Sequence, residues 1–201
     1  DRGLVDEVSR MDNGVDRLNE AIKLYVTKLT RGSLDERESQ RAMEIISFAI
    51  NLEHIGDIVD KNLCELAIKK IKHRFQFSTE GAAELLEFHR QTMESLRIAF
   101  GVFMSGDVTE ARKLLAEKGS LRNEELAATE RHLERLREGR PESIETTSLH
   151  LDVLRDLKRI HSHICSVAYP VLDAAGASAD STEAAAELLP SSNPTAHPSA
   201  N

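Results

Sequence analysis

Apolar residues recur at spacings of three and four along most of this chain, which is the pattern of amphipathic α-helices. The pattern predicts five helices, over residues 4–30, 36–72, 79–105, 107–138 and 142–175. Glycine, proline and short polar residues separate them, as at Gly32, Ser78, Gly106 and Pro141. Because strand-like alternation is absent and short turns join the helices, the sequence predicts an all-α, antiparallel helical bundle.

The composition changes after residue 176. Residues 177–201 are mostly Ala, Ser, Thr, Pro, Asn and Glu, with prolines at 190, 194 and 198. Such a segment has too little apolar surface to offset the entropy lost on ordering. We therefore predict one helical domain over residues 1–176 and a disordered low-complexity tail over residues 177–201, whose deletion should leave the melting temperature nearly unchanged.

The second predicted helix carries acidic residues beside its core-facing seam. Glu53, Asp57 and Asp60 are spaced i, i+4 and i+7 and therefore form one stripe. Like charges so placed repel, so the stripe needs basic partners, water or a cation. On spacing alone, a solvated face is a commoner explanation than a metal site. Gly56 costs roughly 1 kcal/mol relative to alanine inside a helix, which indicates that another group approaches the backbone there.

Charge and composition exclude several classes of function. The 201 residues carry a net charge of -8, whereas nucleic-acid binding requires a basic surface, so we expect no nucleic-acid partner. No apolar run reaches the roughly 20 residues of a membrane helix. Cys64 and Cys165 are predicted to be separate buried thiols. Catalytic triads, phosphate loops, zinc spacings and Glu-x-x-His motifs are absent, so we predict no enzyme.

The acidic stripe belongs to a longer resemblance. Glu53-His54-Ile55-Gly56-Asp57 resembles the E-R-I-G-D signature of PhoU domains, helical bundles in which E/D-x-x-x-D motifs supply carboxylates to metal ions. The wider string Asn51 to Asp57, with His54 in place of Arg, is similar to the PhoU-like domain of bacterial sodium/phosphate cotransporter family proteins. The resemblance covers roughly residues 12–176. It implies tandem three-helix repeats, of which the first helix is missing here, before Asp1.

A second motif occupies the corresponding place in the last helix. Residues 150–163 match the second signature in part, since Lys158 and Ser162 stand where acidic residues are expected. One turn earlier, Asp152 and Asp156 form another acidic i, i+4 pair, which metal ligation and an Asp156–Arg159 ion pair explain equally well.

The resemblance implies a regulatory domain on the cytoplasmic side of the cell membrane, attached to an upstream membrane transporter domain and tying transport to phosphate status. It also implies a divalent or ferric ion, with Fe, Mn, Mg, Ca and Zn as candidates. The predicted ligands are Glu53, Asp57, Asp60, Asp152 and Asp156. The alternatives are a metal-free helical interaction module and, less favoured, a di-metal carboxylate enzyme.

The missing-helix interpretation makes one further prediction about the first two helices. They should expose an apolar groove lined by residues such as Ile22, Leu29, Ile46 and Leu52, through which the chain could form homo-oligomers.

Overall fold

A computed structural model describes residues 1–176 of the chain, and all regular structure in that part is helical. The helices are α1 (Arg2–Leu29), α2 (Glu36–Asp57), a π-helical segment (Ile58–Leu63), α3 (Cys64–His73), α4 (Thr79–Ser105), α5 (Val108–Arg137), α6 (Pro141–Glu145) and α7 (Thr147–Cys165). Residues 168–176 are helical as well. None of the helices in residues 1–176 has the length and hydrophobicity of a membrane-spanning helix. The predicted all-α bundle is confirmed, and the predicted tail lies outside the described residues.

Short polar residues begin the long helices, as their positions in the sequence predict. The carboxylate of Asp35 accepts from the backbone N–H of Glu38, and the Glu38 carboxylate accepts from the N–H of Asp35. This reciprocal capping box satisfies two donors that a helix start otherwise leaves unpaired. Gly106 ends α4 with φ of 66°, a left-handed conformation that favours glycine.

The second half of the bundle holds the main core. Helices α4, α5 and α7 all contact one another, and α2 joins this trio through α7. Phe88, Val102, Leu114, Leu154 and Ile164 are each at most 1% exposed in this core. Helix α1 packs on α2, α3 and the π-helical segment, so it lies on the outer side of the bundle.

An apolar groove runs between α1 and α2, with a volume of about 630 Å³. Its lining includes Leu18, Ile22, Tyr25, Leu29 and Ile45, and Leu18 and Tyr25 are each 64% exposed. The groove was predicted with Ile22 and Leu29 in its wall, and both line it. The other two predicted residues, Ile46 and Leu52, are not among its lining residues, because Leu52 packs against the main core instead.

Two of the five predicted helices are interrupted in the structure. The predicted helix over residues 36–72 contains the π-helical segment. The predicted helix over residues 142–175 is interrupted at Thr146 and again at residues 166–167. At Thr146 and Thr147 the hydroxyls donate to the carbonyls of Glu142 and Ser143 at 2.7 and 2.8 Å, contacts that bend helices. Pro170 falls in the first turn of the last helical stretch, where a missing N–H costs little. Helix α1 is continuous through Gly14.

Candidate metal centre

The acidic motif ends α2 at the point where helical hydrogen bonding changes. Asp57 is the last residue of α2, and the π-helical segment begins at Ile58. Single π-helical turns inside α-helices occur frequently at functional sites. Helix α1 packs alongside both segments, so a second helix lies close to the end of the motif.

Three carboxylates from these two helices meet. One oxygen each from Asp12, Asp16 and Asp57 lies within 4.8 Å of the other two. Asp60 stands one turn further along and accepts a short hydrogen bond from the Ser9 hydroxyl of α1. Asp57 and Asp60 of the acidic stripe therefore face α1, and the cluster draws its carboxylates from both helices.

Asp12 lies in an environment that is unfavourable for a negative charge. Its Oδ1 is buried and has no hydrogen-bond donor. Burial, followed by the negative charges of Asp16, Asp60 and Asp57, raises the pKa of Asp12 above its usual value. A cation placed among these oxygens would satisfy the orphaned atom and remove the repulsion.

Gly56 makes the approach of Asp12 possible. A methyl group on Gly56 would lie 2.6 Å from Oδ1 of Asp12, closer than such atoms can come. The close backbone approach predicted at this glycine is confirmed. Because Gly56 has no side chain, the Asp12 carboxylate can lie against its backbone. We call this contact the cradle.

The donor set fits a hard cation. Carboxylate oxygens are the ligands that Mg, Mn, Ca and ferric ions prefer, and the three that meet here belong to Asp12, Asp16 and Asp57. The orphaned oxygen of Asp12 and the cradle at Gly56 are consistent with the same conclusion. The residues present therefore fit the group that the sequence resemblance implies.

Of the three predicted ligands on this stripe, one lies in the carboxylate cluster and two have other neighbours. Asp57 lies in the cluster, Asp60 binds Ser9, and Glu53 lies 3.7 Å from the His54 ring as a half-buried neighbour. Asp12 and Asp16 were not predicted from the sequence. Their spacing of four residues on α1 repeats that of Glu53 and Asp57, and this repetition was the available signal.

Asp152 and Asp156 occupy a different environment. Arg155 binds Asp152 at 2.8 Å, and Arg159 binds the fully buried Asp156 at 3.0 Å. Among the described residues, neither carboxylate belongs to a cluster of three possible metal ligands. The structure thus favours the ion-pair alternative for this second acidic pair.

The variant Gly56→Ala distinguishes the effect of the cradle on cation binding from the effect of glycine on helix stability. Gly56→Ala should leave the metal-free protein as stable as the wild type or more stable by up to about 1 kcal/mol, because alanine favours helix. The added methyl group should displace the Asp12 carboxylate and weaken cation binding at least tenfold. Titration calorimetry with Mn²⁺ and thermal unfolding in EDTA measure the two effects.

Gly101→Ala is the matched control, because a methyl group at this position within α4 would meet nothing within 4 Å. It should stabilise the helix and leave Mn²⁺ affinity unchanged. Unaltered Mn²⁺ affinity in Gly56→Ala would show that the cradle plays no part in cation binding.

Comparisons with known proteins give this architecture a family context. The sequence model of the family described as "PhoU domain" matches residues 1–66 and 85–171. The chain is 40% identical over 167 residues to the "Putative inorganic phosphate export protein YjbB" of Escherichia coli K12, and 42% identical over 164 residues to its Salmonella typhimurium counterpart. These matches cover 83% and 82% of this chain but only 31% and 30% of the relatives.

A solved structure shows the same fold. The crystal structure of PhoU from Pseudomonas aeruginosa matches with a TM-score of 0.75, covering 86% of this chain and 81% of that one. The sequence identity is 22%, so this likeness concerns the fold alone.

Proposed function

We propose, from the premise that this chain belongs to the PhoU domain family, that it is the regulatory domain of a sodium-dependent phosphate transporter. In this proposal the domain binds a metal ion through helix carboxylates and couples transport to the phosphate status of the cell. It acts on the cytoplasmic side of the membrane and has no catalytic role of its own.

The transport part of the proposal rests on the relatives. They are named for inorganic phosphate export, and the chain spans about a third of their length. A domain of this size in a longer protein is suited to regulating a membrane partner that the rest of the protein supplies. The sodium dependence rests on the string Asn51 to Asp57, which is similar to sodium/phosphate cotransporter family proteins.

The metal part rests on the carboxylate cluster, which is the single observation that carries the proposal. Asp12, Asp16 and Asp57 would hold the ion, and Glu53 and Asp60 lie about one turn away along the same helical stripe. The ion would neutralise the mutual repulsion of these carboxylates and tie α1 to α2. Since α2 and the π-helical segment also contact α7, the position of α1 would be communicated to the rest of the bundle.

A second candidate is a metal-free interaction module. The exposed apolar groove between α1 and α2 favours it, because contiguous apolar surface of this kind marks binding sites. The two candidates differ in whether the carboxylates or the groove carry the regulatory signal.

The proposal is tested by phosphate flux in cells that express the full-length protein. Asp12→Asn combined with Asp57→Asn removes two ligands and keeps the shape of both side chains. We expect transport of radiolabelled phosphate to persist and its adjustment to external phosphate to be lost. Asp6→Asn, an exposed acidic residue of α1, should behave as wild type. Normal adjustment in the double variant would favour the metal-free module.

A further inference from the structure

A hollow that Asp57 also lines lies between the π-helical segment and α7. Its volume is about 350 Å³, within the range of small-molecule pockets. Its polar lining consists of His54, Asp57, Lys61, Asn62, Arg159 and His163. Five of these six side chains carry N–H groups, although the whole chain has a net charge of -8. The hollow therefore concentrates hydrogen-bond donors on an otherwise acidic protein.

The two cations of the hollow keep donors to spare. Lys61 binds Asp57 at 2.5 Å, and Arg159 binds Asp156 at 3.0 Å. An ammonium has three donors and a guanidinium five, so one ion pair each leaves most of them available. Both side chains are exposed, and they enter the hollow from different helices.

His163 contributes a hydrogen-bond acceptor. Its neighbours determine which of the two ring nitrogens carries the proton and which accepts. The amide nitrogen of Asn51 donates to the Ser47 carbonyl at 2.8 Å, so the amide oxygen faces the histidine. That oxygen accepts from Nδ1 of His163 at 2.9 Å, and Nδ1 must therefore carry the proton. In the neutral ring this leaves Nε2 with a lone pair.

Donors and an acceptor together suit one kind of oxyanion. Monohydrogen phosphate offers several acceptor oxygens and one P–OH group that can donate to a neutral imidazole nitrogen. Sulfate has the same tetrahedral shape and lacks the hydroxyl at neutral pH. The π-helical segment supplies Lys61 and Asn62 to this lining, in agreement with the frequent use of such segments at functional sites.

We propose that this hollow is a binding site for inorganic phosphate, held by Lys61, Arg159 and the His163 ring. The proposal builds on the regulatory function above, because it names the ligand through which phosphate status would reach the domain. Its position beside Asp57 places the anion next to the candidate metal centre. Sulfate should bind at least tenfold more weakly, because the lone pair of His163 then lacks a donor.

The test is equilibrium dialysis of radiolabelled inorganic phosphate against the purified chain in EDTA, so that it does not depend on the metal centre. We expect saturable binding of one phosphate per chain. Lys61→Gln and Arg159→Gln should each raise the Kd at least tenfold. Thermal unfolding of each variant verifies that it is folded.

Each variant has a matched control. Lys69→Gln removes an exposed lysine from the α3 part of the same continuous helix. Arg155→Gln removes the other arginine that binds Asp156, and Arg155 does not line the hollow. Both controls should keep the wild-type Kd, which separates direct contact with phosphate from a general loss of positive charge.

Several results would overturn the proposal. They are the absence of saturable binding, equal binding of sulfate, and equal losses in the variants and their controls. Binding to phosphatidylcholine vesicles that contain phosphatidic acid, without binding of free phosphate, would assign the hollow to a lipid headgroup and overturn it as well. None of these results changes the flux experiment, which alone decides the proposed function.

Discussion

Mn²⁺ added to the metal-free protein should raise its melting temperature by roughly 5–10 °C at a hundredfold excess over Kd. A ligand that binds only the folded state stabilises it by RT ln(1 + [L]/Kd), which is about 2.7 kcal/mol under this condition. For a protein of this size, 1 kcal/mol corresponds to about 2–4 °C. Thermal unfolding followed by circular dichroism, in EDTA and in Mn²⁺, measures the shift.

Asp12→Asn should have opposite effects on two quantities, the melting temperature in EDTA and the stabilisation by Mn²⁺. Because burial and neighbouring charge raise the pKa of Asp12, its ionised form destabilises the folded state at neutral pH. The neutral amide should therefore raise the melting temperature in EDTA and abolish the response to Mn²⁺. A variant that is only less stable, with its Mn²⁺ response intact, would contradict the assignment of Asp12 as a ligand.

Asp152→Asn serves as the comparison, since Asp152 binds Arg155 away from the cluster. It should retain the full Mn²⁺ shift. The wild-type protein could carry no stoichiometric metal and show no shift in melting temperature with Mg, Mn, Fe, Ca or Zn. In that case the assignment of a metal centre is wrong, and only the helical regulatory module is retained.

The local parts of this fold could be predicted because they depend on short sequence spacings. The Asp35–Glu38 capping box needs two residues three positions apart, and the sequence shows both. The close approach at Gly56 followed from the cost of glycine inside a helix. These features depend on neighbours along the chain, so tertiary contacts were not required to infer them.

The composition of the acidic cluster could not be obtained in the same way. The spacing of Asp12 and Asp16 is visible in the sequence, but nothing in it states that this face of α1 meets Asp57. Asp60 was predicted as a ligand, and the structure turns it towards Ser9. Which faces meet is set by packing between helices, and a pattern within one helix does not contain that information.

The π-helical segment shows the same limit in the backbone. Residues 58–63 have the apolar spacing of an ordinary helix, so the sequence predicts uninterrupted α-helix there. The change in hydrogen bonding arises where this segment contacts α1 and α7 at once. The sequence therefore did not predict that Lys61 and Asn62 would line the hollow that we propose as a phosphate site.

Acidification should destabilise the bundle strongly between pH about 6.5 and about 4, independently of any metal. Two buried histidines contribute most, because their pKa values are lowered further than those of His132 and His163. His161 is 2% exposed, lies 3.0 Å from the Ser95 hydroxyl, and has its pKa lowered to about 4 by burial and then by Lys118.

His150 is 1% exposed, and its ring stacks against that of His132 at 4.7 Å. Burial, followed by the positive charge of His132 and then that of Arg135, lowers the pKa of His150 to about 4, against an opposing effect of Glu84.

The sign follows from proton linkage. The unfolded chain, with an ordinary histidine pKa near 6.5, binds more protons than the folded chain between the two pKa values. The stabilisation is therefore complete above pH about 6.5 and falls as the pH drops towards 4. Each histidine contributes a loss of roughly 3 kcal/mol, which is a large part of the 5–15 kcal/mol that typically holds a domain folded.

His161→Gln tests this origin of acid sensitivity. Glutamine can still reach the Ser95 hydroxyl but does not titrate, so the variant should be less stable than wild type at pH about 7 and lose less stability on acidification, by roughly 2–3 kcal/mol. Urea unfolding in EDTA at pH about 7 and at pH about 4 measures this difference in the free energy of unfolding. His89→Gln, at an exposed position of α4, should show the full wild-type loss. If His161→Gln loses as much stability as wild type, the buried ring is not what the acid attacks, and carboxylate ion pairs such as Glu84–Arg135 at 2.8 Å become the explanation.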